Sequence, residues 1–344
     1  MKLFYLTILS LKGFVLRRFA TMLVVLVVVA AINFFLFQVL PFYVLGINPE
    51  QWFVPLPSGA VHNVAYIEKI RAQVIAAMGF DLPLYERFLV YLKSMFTFNF
   101  GYNVGGVLSG PVMDTITMYA PYTILLLGSS TVAAFIVGIY LGVISAAKRG
   151  KLLDVASFTT LLFLYAMPSF WIGTLLLVFF SYSLGIFPIN AEAYFSSFKG
   201  IAYVSALLKA MILPFTSLLV VSIGGVYLIM RSTTIDVISE DYITMAKAKG
   251  LPNSTILYKH ALRNAILPII TIFAISMGFI LSGAVITETI FSWPGLGYWT
   301  FVAIETLDFP LEQAIFFVIS LMVVAANFIA DLLYGFLDPR IRAG

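Results

Sequence analysis

Six stretches of this chain are long and apolar enough to cross a lipid bilayer, and no other feature narrows its fold as far. They cover residues 19–40, 119–147, 155–184, 207–230, 265–287 and 312–337. A spanning helix needs about 20 mostly apolar residues, because the hydrocarbon core is about 30 Å thick and a helix rises about 1.5 Å per residue. Lipid offers backbone groups no partner, so the spans are expected to be helices; barrel strands would read as short alternating segments. The rest of the composition agrees. Of the 344 residues 61% are hydrophobic and 10% charged, whereas a soluble domain is about 45–50% apolar and about 25% charged. Mean hydropathy is +1.02. A cytosolic enzyme, a disordered protein and a disulfide-stapled secreted domain are thereby excluded. The chain has no cysteine, hence no disulfide and no thiolate chemistry.

Basic residues set the expected orientation. The net charge is +4, which in a membrane chain marks cytoplasmic loops rather than nucleic-acid binding. With both termini inside, 14 of the 20 Lys and Arg face the cytoplasm. The short 148–154 loop, with Lys148, Arg149 and Lys151, is the clearest marker. The first span reads as a retained anchor, since its apolar core is too long for a cleavable signal and Phe37-Gln38-Val39-Leu40 has no small-residue cleavage site. Five regions follow. Residues 1–18 are a cytoplasmic or interfacial segment, and 19–40 the first span. Residues 41–118 form an extracytoplasmic cap. Residues 119–337 hold the other five spans and an inner loop at 231–264, and 338–344 are a cytoplasmic tail.

Within the cap, residues 65–78 and 84–96 carry helical periodicity, and Tyr85, Leu89, Leu92 and Phe96 share one face of the second helix. The 41–57 stretch is punctuated by Pro and Gly and reads as loop.

Catalytic and cofactor motifs do not form. Gly150-Lys151 is followed by Leu152 and has no phosphate-loop glycine upstream; Gly295-Leu296-Gly297 runs into Tyr298-Trp299-Thr300, not a dinucleotide fingerprint. His62 and His260 fall on opposite sides of the membrane, so they cannot share a metal. Gly138 and Gly142 suit close helix packing. Intramembrane acids mark ion-coupled transporters. Here Asp331, with Asn327 one turn earlier, is the main candidate, and Glu288 stands at the outer end of the fifth span where water is expected. One shallow acid is little for an ion relay. The spans read instead as a smooth conduit with scattered Ser, Thr, Tyr and Asn, which needs an external motor.

The inner loop is the most patterned part. Over 236–249, Val237, Tyr242, Ile243, Met245 and Ala246 interleave with charge. Ser239 is placed to cap a helix whose first turn holds Glu240 and Asp241, the right sign for a helix dipole. Lys247 and Lys249 suit its last turn, and Gly250 a left-handed stop. After Pro252 and Asn253 a second helix over 254–264 carries Ser254, Ile256, Leu257, Tyr258, Ala261 and Leu262. Two short helices about a glycine form either a protruding knob or a pair lying on lipid headgroups.

These residues resemble a known family. Glu240-Asp241-Tyr242, Ala246-Lys247-Ala248-Lys249-Gly250-Leu251 and His260-Ala261-Leu262-Arg263-Asn264-Ala265-Ile266-Leu267-Pro268 look like the cytoplasmic loop of dipeptide/oligopeptide-type ABC importer permeases. Met167-Pro168-Ser169-Phe170-Trp171, Glu288-Thr289-Ile290-Phe291-Ser292-Trp293-Pro294-Gly295-Leu296-Gly297 and Leu337-Asp338-Pro339-Arg340-Ile341-Arg342 match further motifs of that family, in order. Phe80-Asp81-Leu82-Pro83-Leu84 resembles the stretch before its second outer helix. The general importer signature E-A-A-x3-G is met only at Ala246 and Gly250; the peptide-importer variant fits better.

The resemblance implies an all-α polytopic membrane protein of the type I ABC importer permease fold, with six spans, a helical outer cap and a coupling loop. It implies no cofactor in this chain, since ATP and Mg would bind partner subunits. The implied partners are a second homologous permease, two ABC ATPase subunits and an extracytoplasmic substrate-binding protein, in a prokaryotic cytoplasmic membrane. The ATPase-coupling residues would be Glu240, Asp241, Ala246, Gly250, Asn253, Ser254, Ile256, Leu257 and Tyr258. Peptide import leads; an oligosaccharide importer of the same family and an ion-coupled secondary transporter are the alternatives, while an intramembrane enzyme lacks a nucleophile–base pair.

Overall fold

The computed structural model describes residues 2–46, 79–104, 106–108 and 110–337, together with 72 and 75. Among these the chain is helical, with one isolated antiparallel bridge, Tyr102 to Pro111. Four helical runs are long and apolar enough to cross a membrane: Val15–Val39, Val112–Ala147, Gly200–Ile238 and Phe309–Ile329. Two bent pairs bring the number to six. Leu152–Ala166 and Ser169–Ser183 meet at 95°, and Asn253–Ala265 and Leu267–Gly278 at 50°. The third expected span is therefore broken. Pro168 has no N–H to continue the ladder, and Met167 and Pro168 take extended backbone at ψ 137° and 134°. The fifth departs from expectation at both ends. Its membrane helix stops at Gly278, and Gly283 turns the chain at φ +71° before the short helix Val285–Ile290.

The helices form two compact units. The first comprises residues 1–121, 281–285 and 295–344. Its first helix runs Lys2–Phe34, so the expected interfacial segment and the first span are one continuous element. The helix Leu84–Phe96 forms as expected, but it buries a different face. Arg87, Tyr91 and Met95 point inward, while Tyr85 and Leu89 are 67% and 60% exposed. The inward arginine is sustained by partners: its Nε donates to Gln38 Oε1 at 3.0 Å, and its guanidinium lies 4.4 Å from the Phe80 ring centre. Gln38 donates on to Gln313, and Asn33 donates to the Gln313 carbonyl at 2.8 Å. The other expected cap helix, at 65–78, lies outside the described residues apart from two positions.

The second unit comprises residues 122–280 and 286–294. Its spine is the 39-residue helix Gly200–Ile238. The helix Ser129–Ala147 packs along that spine through Gly138 and Gly142. A Cβ on Gly138 would fall 2.7 Å from Val226 Cβ, and one on Gly142 would fall 2.8 Å from Met230 Cβ and 3.0 Å from the Tyr227 carbonyl. Gly224 and Gly225 do the same for the broken span: Tyr165 Cβ would lie 2.6 Å from a Cβ on Gly224. Small residues let the backbones approach closely, where lipid supplies no hydrophobic driving force between helices.

Gly142→Val is expected to cost about 1–3 kcal/mol by overpacking, because the obstructing atoms include spine backbone. Thermal unfolding in detergent should show a lowered midpoint. The same change at Gly13, which has nothing within 4 Å of a built Cβ, should leave it unmoved.

Candidate functional site

The inner loop folds into a knob with its own small core. The spine ends at Ile238, and Ser239 Oγ donates back to the Asp236 carbonyl at 2.6 Å. Ser239 thus closes the preceding helix instead of capping the next. Glu240 is the extended residue that starts the helix Asp241–Ala248, without a side-chain cap bond. Its carbonyl accepts from the Ile243 and Thr244 N–H groups at 3.0 and 3.2 Å. Gly250 turns the chain at φ +74°, as the left-handed stop requires, and its N–H reaches the Lys247 carbonyl at 2.9 Å. The second helix runs continuously from Asn253 to Ala265, with a π-helical turn at Ile256–Ala261.

Ile243, Ala246, Ile256 and Ala261 form the knob's interior, closed over by Val237, Ile238 and Leu251. Two of the sequence-derived coupling residues, Ala246 and Ile256, therefore hold the knob together from inside. Leu257 is half-buried and packs on the cluster of Phe135, Val143, Val226, Met230, Ala265 and Ile269, so it ties the knob to the spanning helices. Glu240, Asp241, Gly250, Asn253, Ser254 and Tyr258 are exposed. Met245, 61% exposed, and Tyr242, 38% exposed, join them. Tyr242 Oη accepts from Asn264 Nδ2 at 2.8 Å, linking the two helices across the outer side. Met245 was interleaved with charge in the sequence, and only the direction of the helix shows that it faces out.

Beneath the knob lies an ion pair whose two residues stand at the end of the 148–154 loop and the start of the 231–264 loop. Arg231 Nε and Nη2 donate to the two Asp154 carboxylate oxygens at 2.6 and 2.9 Å. Asp154 is 2% exposed. It also accepts from Ser145 Oγ and, at 2.9 Å, from the Gly150 N–H. Tyr227 Oη contacts the hydroxyls of Ser145 and Ser157 at 2.6 and 3.0 Å, and the Arg231 guanidinium lies 5.0 Å from the Phe158 ring centre. A bidentate pair with further donors offsets the desolvation that makes isolated buried charges unfavourable. It pins the ends of three membrane helices together at the root of the knob.

At the other end of this unit, Glu288 is fully buried, contrary to the expectation that it is wet. Thr123 Oγ1 donates to it at 3.3 Å. The loop that follows is held down because Trp293 fills a cluster with Tyr122, Phe195 and Leu126, and its Nε1 donates to the Tyr122 carbonyl at 3.0 Å. The Phe291 and Ser292 carbonyls accept from the Ala191 and Glu192 N–H groups. Partial burial raises the Glu192 carboxyl above its ordinary pKa. The side chain of Asp331 lies outside the described residues. Among the described residues no group of three His, Cys, Asp or Glu is placed to hold a metal.

Apolar helices of spanning length define a multi-pass membrane protein. Residues 138–343 match the family described as the binding-protein-dependent transport system inner membrane component, and the chain belongs to that family. Among its relatives, the di/tripeptide transport system permease of Pseudomonas aeruginosa is 34% identical over 80% of this chain and 85% of its own. The oligopeptide transport system permease of Bacillus subtilis is 36% identical over 79% and 85%. The glutathione transport system permease of Shigella boydii is 31% identical over 96% and 99%.

Asp154→Asn would leave Arg231 charged and half-buried without its partner. A loss of about 2 kcal/mol is expected, below the roughly 3–5 kcal/mol of a fully buried pair because Arg231 is partly exposed. Asp154→Asn with Arg231→Met should regain most of it in detergent unfolding. A single Asp154→Asn variant as stable as the unaltered protein would show that the pair does not matter.

Proposed function

We propose that this chain is the transmembrane permease subunit of an ATP-driven ABC importer for dipeptides and oligopeptides. An external binding protein delivers the peptide. ATP and Mg are bound by two separate ATPase subunits, and a second homologous permease completes the path. The observation that carries the reading is similarity across about four-fifths of the chain to permeases named for di/tripeptide and oligopeptide transport. The family's own description supports a binding protein as partner.

The knob supports the division of labour. Its exposed rim of Glu240, Asp241, Tyr242, Met245, Asn253, Ser254 and Tyr258 docks an ATPase subunit. Ile243, Ala246, Ile256 and Ala261 make it stiff, and Leu257 passes its displacement to the spanning helices. Coupling then arises if the docked contacts differ between inward- and outward-open states.

The test is uptake by the complete complex in proteoliposomes. Peptide should enter with ATP and without an ion gradient, and uptake that a protonophore abolishes at constant ATP would favour an ion-coupled transporter. Within that assay Gly250→Val is the informative variant. The position has open space around a built Cβ, so the change acts through backbone strain of about 1–2 kcal/mol at positive φ. The variant should insert and assemble normally yet lose transport and stimulated ATP hydrolysis.

Both termini are cytoplasmic in this reading, which puts the helix Leu84–Phe96 outside. Lys93 on that helix is exposed. Lys93→Cys should react with an impermeant thiol reagent on intact cells. Reaction only after lysis would invert the topology.

A further inference from the structure

The break in the third span sits at mid-membrane depth. The spine is apolar between Lys209 and Arg231, a run that covers about 30 Å at the helical rise and matches the hydrocarbon core. Tyr165 packs against Gly224 and Gly225, and Gly173 lies opposite Ser217. Residues 167–169 therefore stand opposite the middle of that run. There the ladder fails. The Met167 N–H bonds the Leu164 carbonyl, and the Trp171 and Ile172 N–H groups bond the Pro168 carbonyl. The carbonyls of Tyr165, Ala166 and Met167 have no hydrogen-bond donor among the described residues. Pro168 is exposed, and so are Tyr165 and Trp171, at 50% and 45%.

A second observation points the same way. Exposed threonines elsewhere in the spans turn their hydroxyls onto their own helix, as Thr174 does to the Phe170 carbonyl and Thr21 to the Arg17 carbonyl. Thr159 and Thr160, about two turns before the break, are exposed and have no such bond among the described residues. Lipid does not tolerate irregular backbone at this depth; protein or a water-filled cavity must face it.

We propose that the break at 165–169, with Thr159 and Thr160 below it, lines the translocation conduit, and that its unpaired carbonyls accept hydrogen bonds from the N–H groups of a peptide in transit. The carbonyls are acceptors without donors, and an extended peptide brings the missing donors. Between substrates, water takes their place. An unbroken helix would present only side chains at this depth, because its carbonyls are spent on its own ladder. The peptide part of this assignment rests on the function proposed above; the position of the conduit wall rests on the break itself.

The chain has no cysteine, which makes the test direct. Ser169→Cys and Thr159→Cys are introduced singly into the complete complex in proteoliposomes and treated with a charged, water-soluble methanethiosulfonate. Both should react, and saturating peptide with its binding protein should slow the reaction several-fold. If peptide is imported but both cysteines resist the aqueous reagent and instead crosslink to the second permease, this face is a subunit interface and the proposal is overturned while the peptide reading stands. If both react and an imported oligosaccharide protects them while peptide does not, the peptide reading fails and the carbonyls serve another solute. If the folded Thr159→Cys complex reacts with neither aqueous reagent nor crosslinker, the face is covered by lipid and the proposal is overturned.

Discussion

The requirement that each backbone polar group find its partner within the protein governs this structure. In lipid there is no water to take up a stray N–H or C=O. Four runs meet the requirement as long helices, and the spine Gly200–Ile238 does so even across Pro214 in its interior. Where the requirement is not met within a helix, something else takes over. The break at Met167-Pro168 leaves carbonyls that must face water or protein, whereas the loop at Phe291-Ser292 gives its carbonyls to the N–H groups at Ala191 and Glu192.

Within the second unit, the spine connects otherwise separate events. Glycines bring Ser129–Ala147 and the broken span onto it at close range. Further along, Tyr227 and Arg231 gather Ser145, Asp154 and Ser157 into one buried polar cluster. Its last turns carry Val237 and Ile238 into the core of the knob. A push on the knob thus reaches the spanning helices by two routes: through Leu257 into the cluster around Phe135 and Met230, and through the spine itself. Packed cores shift between discrete arrangements instead of yielding gradually, which suits the ATPase-coupling role proposed for the knob.

Much of this was legible in the sequence because long apolar runs and turn residues act locally. The spans, the helix Leu84–Phe96, the two short helices of the knob and the positive φ at Gly250 all follow from periodicity and glycine chemistry over neighbouring residues. The assignments that changed depend on residues far apart in the chain. That Arg87 points inward is visible only once Gln38 and Phe80 are seen around it. Asp154 and Arg231 read as loop charges until 77 positions of chain are folded back to join them. Ile256 reads as an exposed anchor until Ile243 and Ala261 close over it.

The sequence by itself determined that this chain is a helical membrane protein, roughly where it crosses, and which inner loop holds two short helices about a glycine. Hydropathy, proline and glycine decide those questions within a window of about 20 residues, the length the bilayer sets. Only the tertiary structure decided which polar groups are sealed inside and which are left open. Burial depends on which helices meet, and that is settled by small residues such as Gly224 and Gly225, whose significance appears only when the Tyr165 they admit is in place.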